Sequence, residues 1–449
     1  MRNLDQARAA TAQAVDLAMK AGASAADAAL VASGSSSVEV RMGALEDVQR
    51  SEGEKLGLRV FLGQKVASVS SSDLSDEGLA GLASRAVAMA RAASEDEYAG
   101  LAPEDLLMRG PAPDLDLYED AEEPSPEALR ERALACEAAA LAIDKVKNSS
   151  GASASASTSL FALATSHGVD AAFRSSGHGC SVAVIAAAEG GSERDYAYHS
   201  ARYLDDLEEA AAIGARAGER AAARLSPMKF EGGKMAVLFD PRVATSLLSH
   251  LSSALSGSAV ARRSSFLQDR MGERIFAPGV TIVDDPLRRR GLRSHGFDGE
   301  GLPVKRMNII EDGVLKSWFA ASAPARQLGI APTGHAIRGP GGAPGAGPSN
   351  FWIEAGTRSR EQLLAAHPRC LLVTELIGQG VNPVTGDYSR GAAGFYVENG
   401  EIVGPASGAT IASNLKDMFA SLEPGSDLEL RKGVDAPTLL VPEMTVAVG

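Results

Sequence analysis

The sequence predicts an α+β protein, with an N-terminal helix-and-antiparallel-sheet domain followed by a mostly β, barrel-like C-terminal domain. Three observations lead there. In the first half, Ala-rich segments of helical period flank groups of strands joined by tight turns, a pattern unlike the single strands of a doubly wound sheet. In the second half, Gly and Pro accumulate between short β-type runs. The length, 449 residues, is about three times that of an ordinary domain. Ser226-Pro227 ends the last long helical segment of the first half, so the domains are expected at 1–226 and 227–449.

The elements follow in order. Leu4 to Ala21 places Leu4, Ala7, Val15, Ala18 and Met19 near one helical face, and Gly22 stands where a C-terminal cap belongs. Ala28 to Val31, Val38 to Met42 and Leu58 to Leu62 read as strands, and Gly63-Gln64 reads as a two-residue hairpin turn leading into Val66 to Val69. Asp76 to Ala93 is a capped helix. Leu101 to Ser125, rich in Pro and acidic residues, reads as a solvated crossing segment. Ser125-Pro126 opens a helix to about Asp144, because proline suits the first helical position. Ser149 to Tyr203 suggests three or four strands with turns at Ser166-His167-Gly168 and Gly190-Gly191, and Leu204 to Leu225 a long helix. Beyond the boundary come a strand at Lys234 to Asp240 and a serine-rich helix from Val243 to Leu255. Short strands follow at Val280 to Val283, Met307 to Ile310, Leu371 to Thr374, Gly394 to Val397 and Thr438 to Val441. Gly339 to Gly347 reads as a mobile loop.

Composition narrows the function classes. A 45% hydrophobic, 22% charged chain can build its core without disulfide staples. A formal charge of -13 repels a phosphate backbone, so no nucleic-acid partner is expected. The three cysteines, Cys136, Cys180 and Cys370, lie far apart and suit a reduced compartment. Charges interrupt Met1 to Lys20, and no later stretch runs 18 residues at strong hydrophobicity without a charge or a cluster of polar groups, so neither a signal peptide nor a membrane span is expected, and the location is read as cytoplasmic.

Familiar catalytic motifs are missing. There is no GxxxxGK phosphate loop, no GxSxG elbow and no HExxH pair, and the Gly339 to Gly347 run lacks the strand and helix of a dinucleotide site. His250 on the serine-rich helix reads either as a lone ligand or as a capped surface residue. Asp284-Asp285 with Asp298 and Glu300 reads either as a carboxylate set for a hard cation or as turn chemistry. Arg288, Arg289, Arg290 and Arg293 form a basic cluster that reads as an exposed loop or a partner contact.

Several ordered motifs carry a resemblance: Ser265-Phe266-Leu267, Val283-Asp284-Asp285-Pro286, Phe297-Asp298-Gly299-Glu300-Gly301, Pro332-Thr333-Gly334, Gly378-Gln379-Gly380-Val381-Asn382, Thr385 to Gly391 and Ala436-Pro437-Thr438. Together these resemble the TldD/PmbA family, and specifically its PmbA, or TldE, branch, with a compatible pattern over the whole chain. The resemblance implies a cytoplasmic metalloprotease of paired TldD and TldE subunits that degrades unfolded peptides and matures peptide precursors. Some family members carry the older label of DNA gyrase modulator. The TldD branch holds its metal with an HExxxH helix and a cysteine near the C-terminus. The matching positions here carry Leu248 and Ser253 for the histidines and Ser249 for the glutamate, and Asp427 to Pro437 contains no cysteine.

The resemblance therefore implies no catalytic residue, no metal and no cofactor in this chain, which is expected to be inactive alone and to act as the metal-free subunit of a heterodimer with a TldD-type partner, or to form a homodimer when isolated. Unfolded peptides are commonly held by strand addition, and a β-rich domain with Gly-rich loops suits one wall of such a cleft. Gly378, Gln379, Gly380, Asn382, Thr385, Asp387, Ser389 and Arg390 are expected to face the peptide or the partner, the other reading being that the glycines only shape tight turns. Two further function classes remain open at this point: an independent metallopeptidase using His250 or the carboxylates near Asp284 and Glu300, and a stand-alone binding protein of the gyrase-modulator type.

Overall fold

The computed structural model describes residues 2–189 and 191–448. Its first half is one six-stranded antiparallel sheet of β1 (Ala25–Arg41), β2 (Ala44–Leu62), β3 (Lys65–Ser71), β4 (Val146–Thr165), β5 (Asp170–Ala188) and β6 (Gly191–Ala201), ordered β3-β2-β1-β4-β5-β6. Serine and alanine alternate along β4, so Ala152, Ala154 and Ala156 point into the core while Ser153, Ser155 and Ser157 point away. The period of two thus forms the strand although neither residue favours it. Small side chains let helices approach. α1 (Leu4–Lys20) and α2 (Asp76–Ala92) pack on one part of this face, and α3 (Pro126–Leu141) and α4 (Ala210–Ala223) on the other.

Several boundaries differ from the sequence expectation. The two expected strands are one continuous strand, Ala25–Arg41, and Met42 (φ 50°) with Gly43 (φ 77°) makes the hairpin turn into β2. Leu204 to Leu225 divides into a 3-10 turn at Leu204–Asp206 and α4, the chain being extended at Leu207 and Glu209. The expected turn at Gly190-Gly191 includes Gly190, which lies outside the described residues. The 101–125 crossing segment is not merely solvated. Leu101, Leu107, Leu115 and Leu117 are buried, and part of the segment joins Phe297 and Leu302 in covering Ala29 and Leu163 on the sheet face away from the helices.

The second half contains β7 (Gly233–Phe239), β8 (Ile282–Asp284), β9 (Met307–Glu311), β10 (Val314–Leu315), β11 (Ala336–Ile337), β12 (Gly345–Ala346), β13 (Phe351–Ile353), β14 (Arg369–Ile377), β15 (Asp387–Glu398), β16 (Glu401–Asn414), β17 (Glu423–Pro424), β18 (Val434–Asp435) and β19 (Leu439–Val448). The order β16-β15-β14-β7-β19 closes on itself because β19 also pairs with β16, giving a five-stranded barrel. A second sheet, β10-β9-β8-β13-β18, stands beside it, with α5 (Pro241–Ala254) in the shared core. α6 (Gly257–Ala261), α7 (Ser322–Leu328), α8 (Arg360–Ala365) and α9 (Leu415–Ser421) are short connectors.

The glycine-rich segment is a hairpin arm, not a free loop. β11 pairs with β12, and Arg338 donates to the carbonyls of Gly339 and Gly342 at 3.0 and 2.6 Å. The arm rests on the first sheet at Gly57, where a Cβ would stand 2.1 Å from the Pro340 carbonyl oxygen, so only glycine fits. Beneath it, Arg59 and Arg338 both pair with the buried Asp27, and Arg59 lies 3.9 Å from Glu300. Burial works against ionisation of Asp27, yet the two guanidinium groups outweigh it and hold the carboxyl below its ordinary range. All three cysteines are buried and free, and no described helix is long and apolar enough to cross a membrane.

Candidate functional site

The serine-rich helix α5 starts at Pro241, behind Asp240, whose carboxylate accepts from the Arg242 amide at 3.1 Å. Its apolar stripe, Ala244, Leu247, Leu248 and Leu251, enters the core. One flank of the helix, carrying Leu248, Ser249 and Ser252, lines a cleft of about 390 Å³ whose other walls include Asp284, Arg293, His295, His335, Ser349, Phe351 and Val434. The two segments matched to the metal-holding regions of the TldD branch therefore converge here, the helix through Leu248 and Ser249 and the 427–437 segment through Val434.

The polar groups of this cleft are largely committed. Asp284 is buried and accepts from the amide and hydroxyl of Ser349 at 2.6 and 2.9 Å. His335 Nε2 lies 3.4 Å from Asp284, its Nδ1 lies 2.9 Å from Thr333 Oγ1, and its ring stands edge-on to Phe319 at 4.8 Å. His295 Nδ1 is 3.0 Å from the Arg293 carbonyl, which can only accept, so Nδ1 carries the proton and Nε2 is left as an acceptor. Burial lowers the pKa of His295 and favours this neutral form. The helix hydroxyls turn back on their own backbone: Ser249 donates to Thr245 O at 3.2 Å, and Ser252 and Ser253 donate to Ser249 O at 3.2 and 2.9 Å.

This donor set does not fit zinc. Leu248 and Val434 offer only alkyl groups, the serine hydroxyls are neutral and already hydrogen-bonded, Asp284 and His335 are engaged by Ser349, Thr333 and each other, and no cysteine lines the cleft, so His295 Nε2 is left without the further ligands that zinc needs. Among the described residues no group of three or more His, Cys, Asp or Glu side chains could hold a metal ion. What the cleft offers is an apolar wall with scattered acceptors and donors, suited to binding an extended chain rather than to activating water.

The remaining candidates lie elsewhere. His250 faces away from this cleft, its ring edge-on to Tyr388 at 6.1 Å, and its pKa is lowered by burial and then by Arg390. Tyr388, 1% exposed, is pushed up to about 12 by burial. His250 Nε2, Tyr388 Oη and Arg390 Nε are buried without a hydrogen-bond partner. Gly378, Gln379, Gly380, Asn382, Thr385, Asp387 and Ser389 are exposed on the hairpin between β14 and β15, and Arg390 is half-buried at its foot. Part of this hairpin is turn chemistry: Gly378 and Gly386 have φ of 80° and 85°, and a Cβ on Gly380 would stand 2.0 Å from Ser389 O. Asn382 Oδ1 accepts from the Val384 amide at 2.9 Å, and Thr385 Oγ1 donates to Asp387 at 2.6 Å. The loop docks on the Ser265-Phe266-Leu267 motif through the Phe266 amide and Pro383 carbonyl, 3.1 Å apart.

Asp284 and Glu300 do not form a joint cation site, since Glu300 accepts from the Ser322 amide and hydroxyl at 2.7 Å each while Asp284 serves Ser349. Asp298 organises its turn by accepting from the amides of Glu300, Leu302 and Ala336, and burial raises its pKa to about 6. Within the basic cluster, Arg289 and Arg290 make intramolecular contacts: both pair with Asp116, and Arg290 also pairs with Asp206. Sequence reasoning missed His335 and Ser349 as cleft residues and reached Val434 only as part of the 427–437 segment; Pro332-Thr333-Gly334 stood next to the first, but no local pattern joined the three.

Family models for the PmbA/TldA metallopeptidase match three parts of the chain, domain 1 at residues 26–90, the central domain at 119–225 and the C-terminal domain at 232–448. The chain is 41% identical over 413 residues to Metalloprotease PmbA of Escherichia coli O157:H7, covering 92% of this chain and 89% of that one. It superimposes with a TM-score of 0.91, at 28% identity and 99% coverage of both chains, on a Bacteroides thetaiotaomicron protein described as a proposed modulator of DNA gyrase. TldE from Thermococcus kodakarensis shares the fold, with a TM-score of 0.86, 22% identity and coverage of 96% of this chain and 98% of that one. With its fold, its motifs and its full-length relatives in agreement, this chain belongs to the PmbA/TldD metallopeptidase family.

Proposed function

We propose that this chain is the noncatalytic subunit of a TldD/TldE-type metalloprotease complex, forming part of the cleft that holds unfolded peptides and peptide precursors. The observation that carries this reading is the convergence of Leu248, Ser249 and Val434 on one cleft, where a metal-binding relative needs imidazole, carboxylate and thiolate. The likeness to Metalloprotease PmbA and to TldE supports a place in such a complex. In it a cytoplasmic TldD-type partner supplies the metal and the activated water. This chain supplies Phe351 and Val434 as apolar contacts and His295 Nε2 as an acceptor for the peptide backbone, and it presents Gly378 to Arg390 to the partner or the peptide.

The test is peptidase activity on an unstructured peptide with the purified chain, with a TldD-type subunit, and with both. Turnover is expected only where the partner is present, and zinc in the isolated chain is expected to stay well below stoichiometric after a mild chelator wash. Activity of the chain alone that copurifies with it and disappears in His250→Ala or Asp284→Asn overturns the reading in favour of an independent metallopeptidase. A gyrase-modulator role has in its favour the descriptions of two solved structures that share the fold, and no feature of the cleft.

Arg390 gives a second measurement. Its guanidinium has a buried Nε without a partner beside an exposed hairpin, so Arg390→Ala is expected to weaken binding to the TldD-type subunit, or peptide turnover by the complex, by about tenfold. A folded variant in which both quantities change by less than about twofold assigns the hairpin a purely structural role.

A further inference from the structure

A second cleft, about 370 Å³, lies on the opposite side of β18 from the first, where β6 and α4 meet the start of α5, Arg360 of α8 and the 427–436 segment. Val434 lines one cleft and Asp435 the other. The walls of this one carry six cationic side chains, in a chain whose formal net charge is -13. Four of the six are matched: Arg216 and Arg431 pair with Glu208, Arg242 with Asp195, and Arg360 with Asp240.

The lining carboxylates are committed as well. Asp427 accepts from the amide and hydroxyl of Thr438 at 2.8 and 2.6 Å, Asp435 accepts from the amides of Lys432 and Gly433 at 2.9 and 3.2 Å, and Glu429 lies 3.5 Å from Arg431. Arg220 and Lys432 remain over. Among the described residues, the Arg220 guanidinium makes no hydrogen bond or ion pair, and the Lys432 ammonium has only the face of Tyr198, 5.3 Å from the ring centroid. Both are half-buried, and burial is the main cause that lowers the pKa of each; Asp435 opposes it at Lys432 and Asp240 at both, without reversing the direction. Two neighbouring cations partly withdrawn from water repel each other, and the Asp240 and Asp435 carboxylates offset this only in part, which leaves the pair suited to an added anion.

We propose that this cleft binds a doubly charged phosphate-type oxyanion between Arg220 and Lys432. A guanidinium offers two parallel N–H donors to such a group and an ammonium offers a compact charge, a division of labour that suits phosphate oxygens. Beside them Tyr196 and Tyr198 stand nearly parallel, 6.3 Å apart with 12° between their planes, with Arg242 5.8 Å from one ring centroid and Lys432 5.3 Å from the other, and at 43% exposure each they leave aromatic surface open beside the two cations. The oxyanion is therefore either inorganic phosphate or the phosphoryl group of a nucleotide monoester whose ring lies on the tyrosines. Because Arg220 belongs to α4 and Lys432 to the C-terminal segment, the bound anion joins the two halves of the chain and stabilises the folded state by mass action.

The experiment is calorimetric titration of the full chain at constant ionic strength with inorganic phosphate, adenosine monophosphate, adenosine and glycylglycine, together with thermal melts. Saturable phosphate binding and a raised melting temperature are expected, with Arg220→Gln and Lys432→Gln each weakening affinity about tenfold or more. Arg263→Gln, in an exposed pair with Asp269, is expected to leave binding unchanged. Equal affinity for phosphate and adenosine monophosphate identifies free phosphate as the ligand; clearly tighter binding of the monophosphate, with none of adenosine, identifies the monoester. The proposal is overturned by the absence of saturable phosphate binding below about 10 mM, by tighter binding of glycylglycine, or by unchanged affinity in a folded Lys432→Gln variant. That last variant decides the matter even if Arg220→Gln does not fold.

Discussion

Asp27→Ala is expected to lower the unfolding free energy by about 3–5 kcal/mol, because it strands two guanidinium groups that have little access to water. Asp27 is 3% exposed, Arg59 4% and Arg338 5%. Arg59 Nε and Arg338 donate to Asp27 at 2.8 and 2.9 Å, and Glu300, 3.9 Å from Arg59, is too far to replace it as a hydrogen-bond partner. Urea titrations of the variant and the wild type measure the difference, and a loss below about 1 kcal/mol would show that water or Glu300 compensates. The effect depends on pH with a definite sign. The folded pKa of Asp27 is lowered, so its contribution is fully present above the ordinary carboxylate value of about 3.9 and is lost as the pH falls through the lower folded value. The gap between wild type and variant therefore closes on acidification from that point downward.

Phe319→Ala is the second large effect, about 3–5 kcal/mol, the cost of deleting a buried aromatic ring and leaving a cavity. Phe319 has no exposed surface and meets Phe351 edge-on at 5.7 Å and 80°. The same ring supports His335 at 4.8 Å, so its loss also removes the rest against which that histidine stands in the cleft. Phe319→Leu is expected to cost much less, about 1.5 kcal/mol, because most of the volume is kept. Melts and urea midpoints check the stability; peptide turnover by the complex checks the cleft. A folded Phe319→Ala variant that loses turnover while Phe319→Leu keeps it ties the defect to the support of His335.

The fold class was legible because period and punctuation agree locally. The Ala-rich helices, the Gly63-Gln64 turn and the proline at the start of α3 each carry their own signal within a few residues. What could not be read depends on contacts distant in sequence. β1 runs unbroken through Ser33 to Ser37 because β2 and β4 pair with it on both sides, a fact absent from the local pattern. The 101–125 segment reads as solvated from its acids and prolines, yet Leu101, Leu107, Leu115 and Leu117, spaced too irregularly to show a period, are buried. The cleft was half legible. Leu248 and Ser249 could be placed by resemblance, whereas His335, Ser349 and Val434 reach the same space from an arm, a loop and a two-residue strand that only tertiary packing brings together.

The way the barrel closes also bears on how copies of this chain behave toward one another. β16 closes onto β19 over Ala409 to Ala412, and β3 covers β2 only from Leu56 to Leu62. From Ala44 to Lys55 the outer backbone of β2 pairs with no described strand, a length on which another chain could zip into a shared ribbon. That stretch carries Glu46, Asp47, Glu52 and Glu54 against Arg50 and Lys55, with Gly53 weakening it further as a template. Two copies laid edge to edge would crowd like charges along the seam, so the same acidity that argues against nucleic acid also acts as a solubility guard on this open ladder.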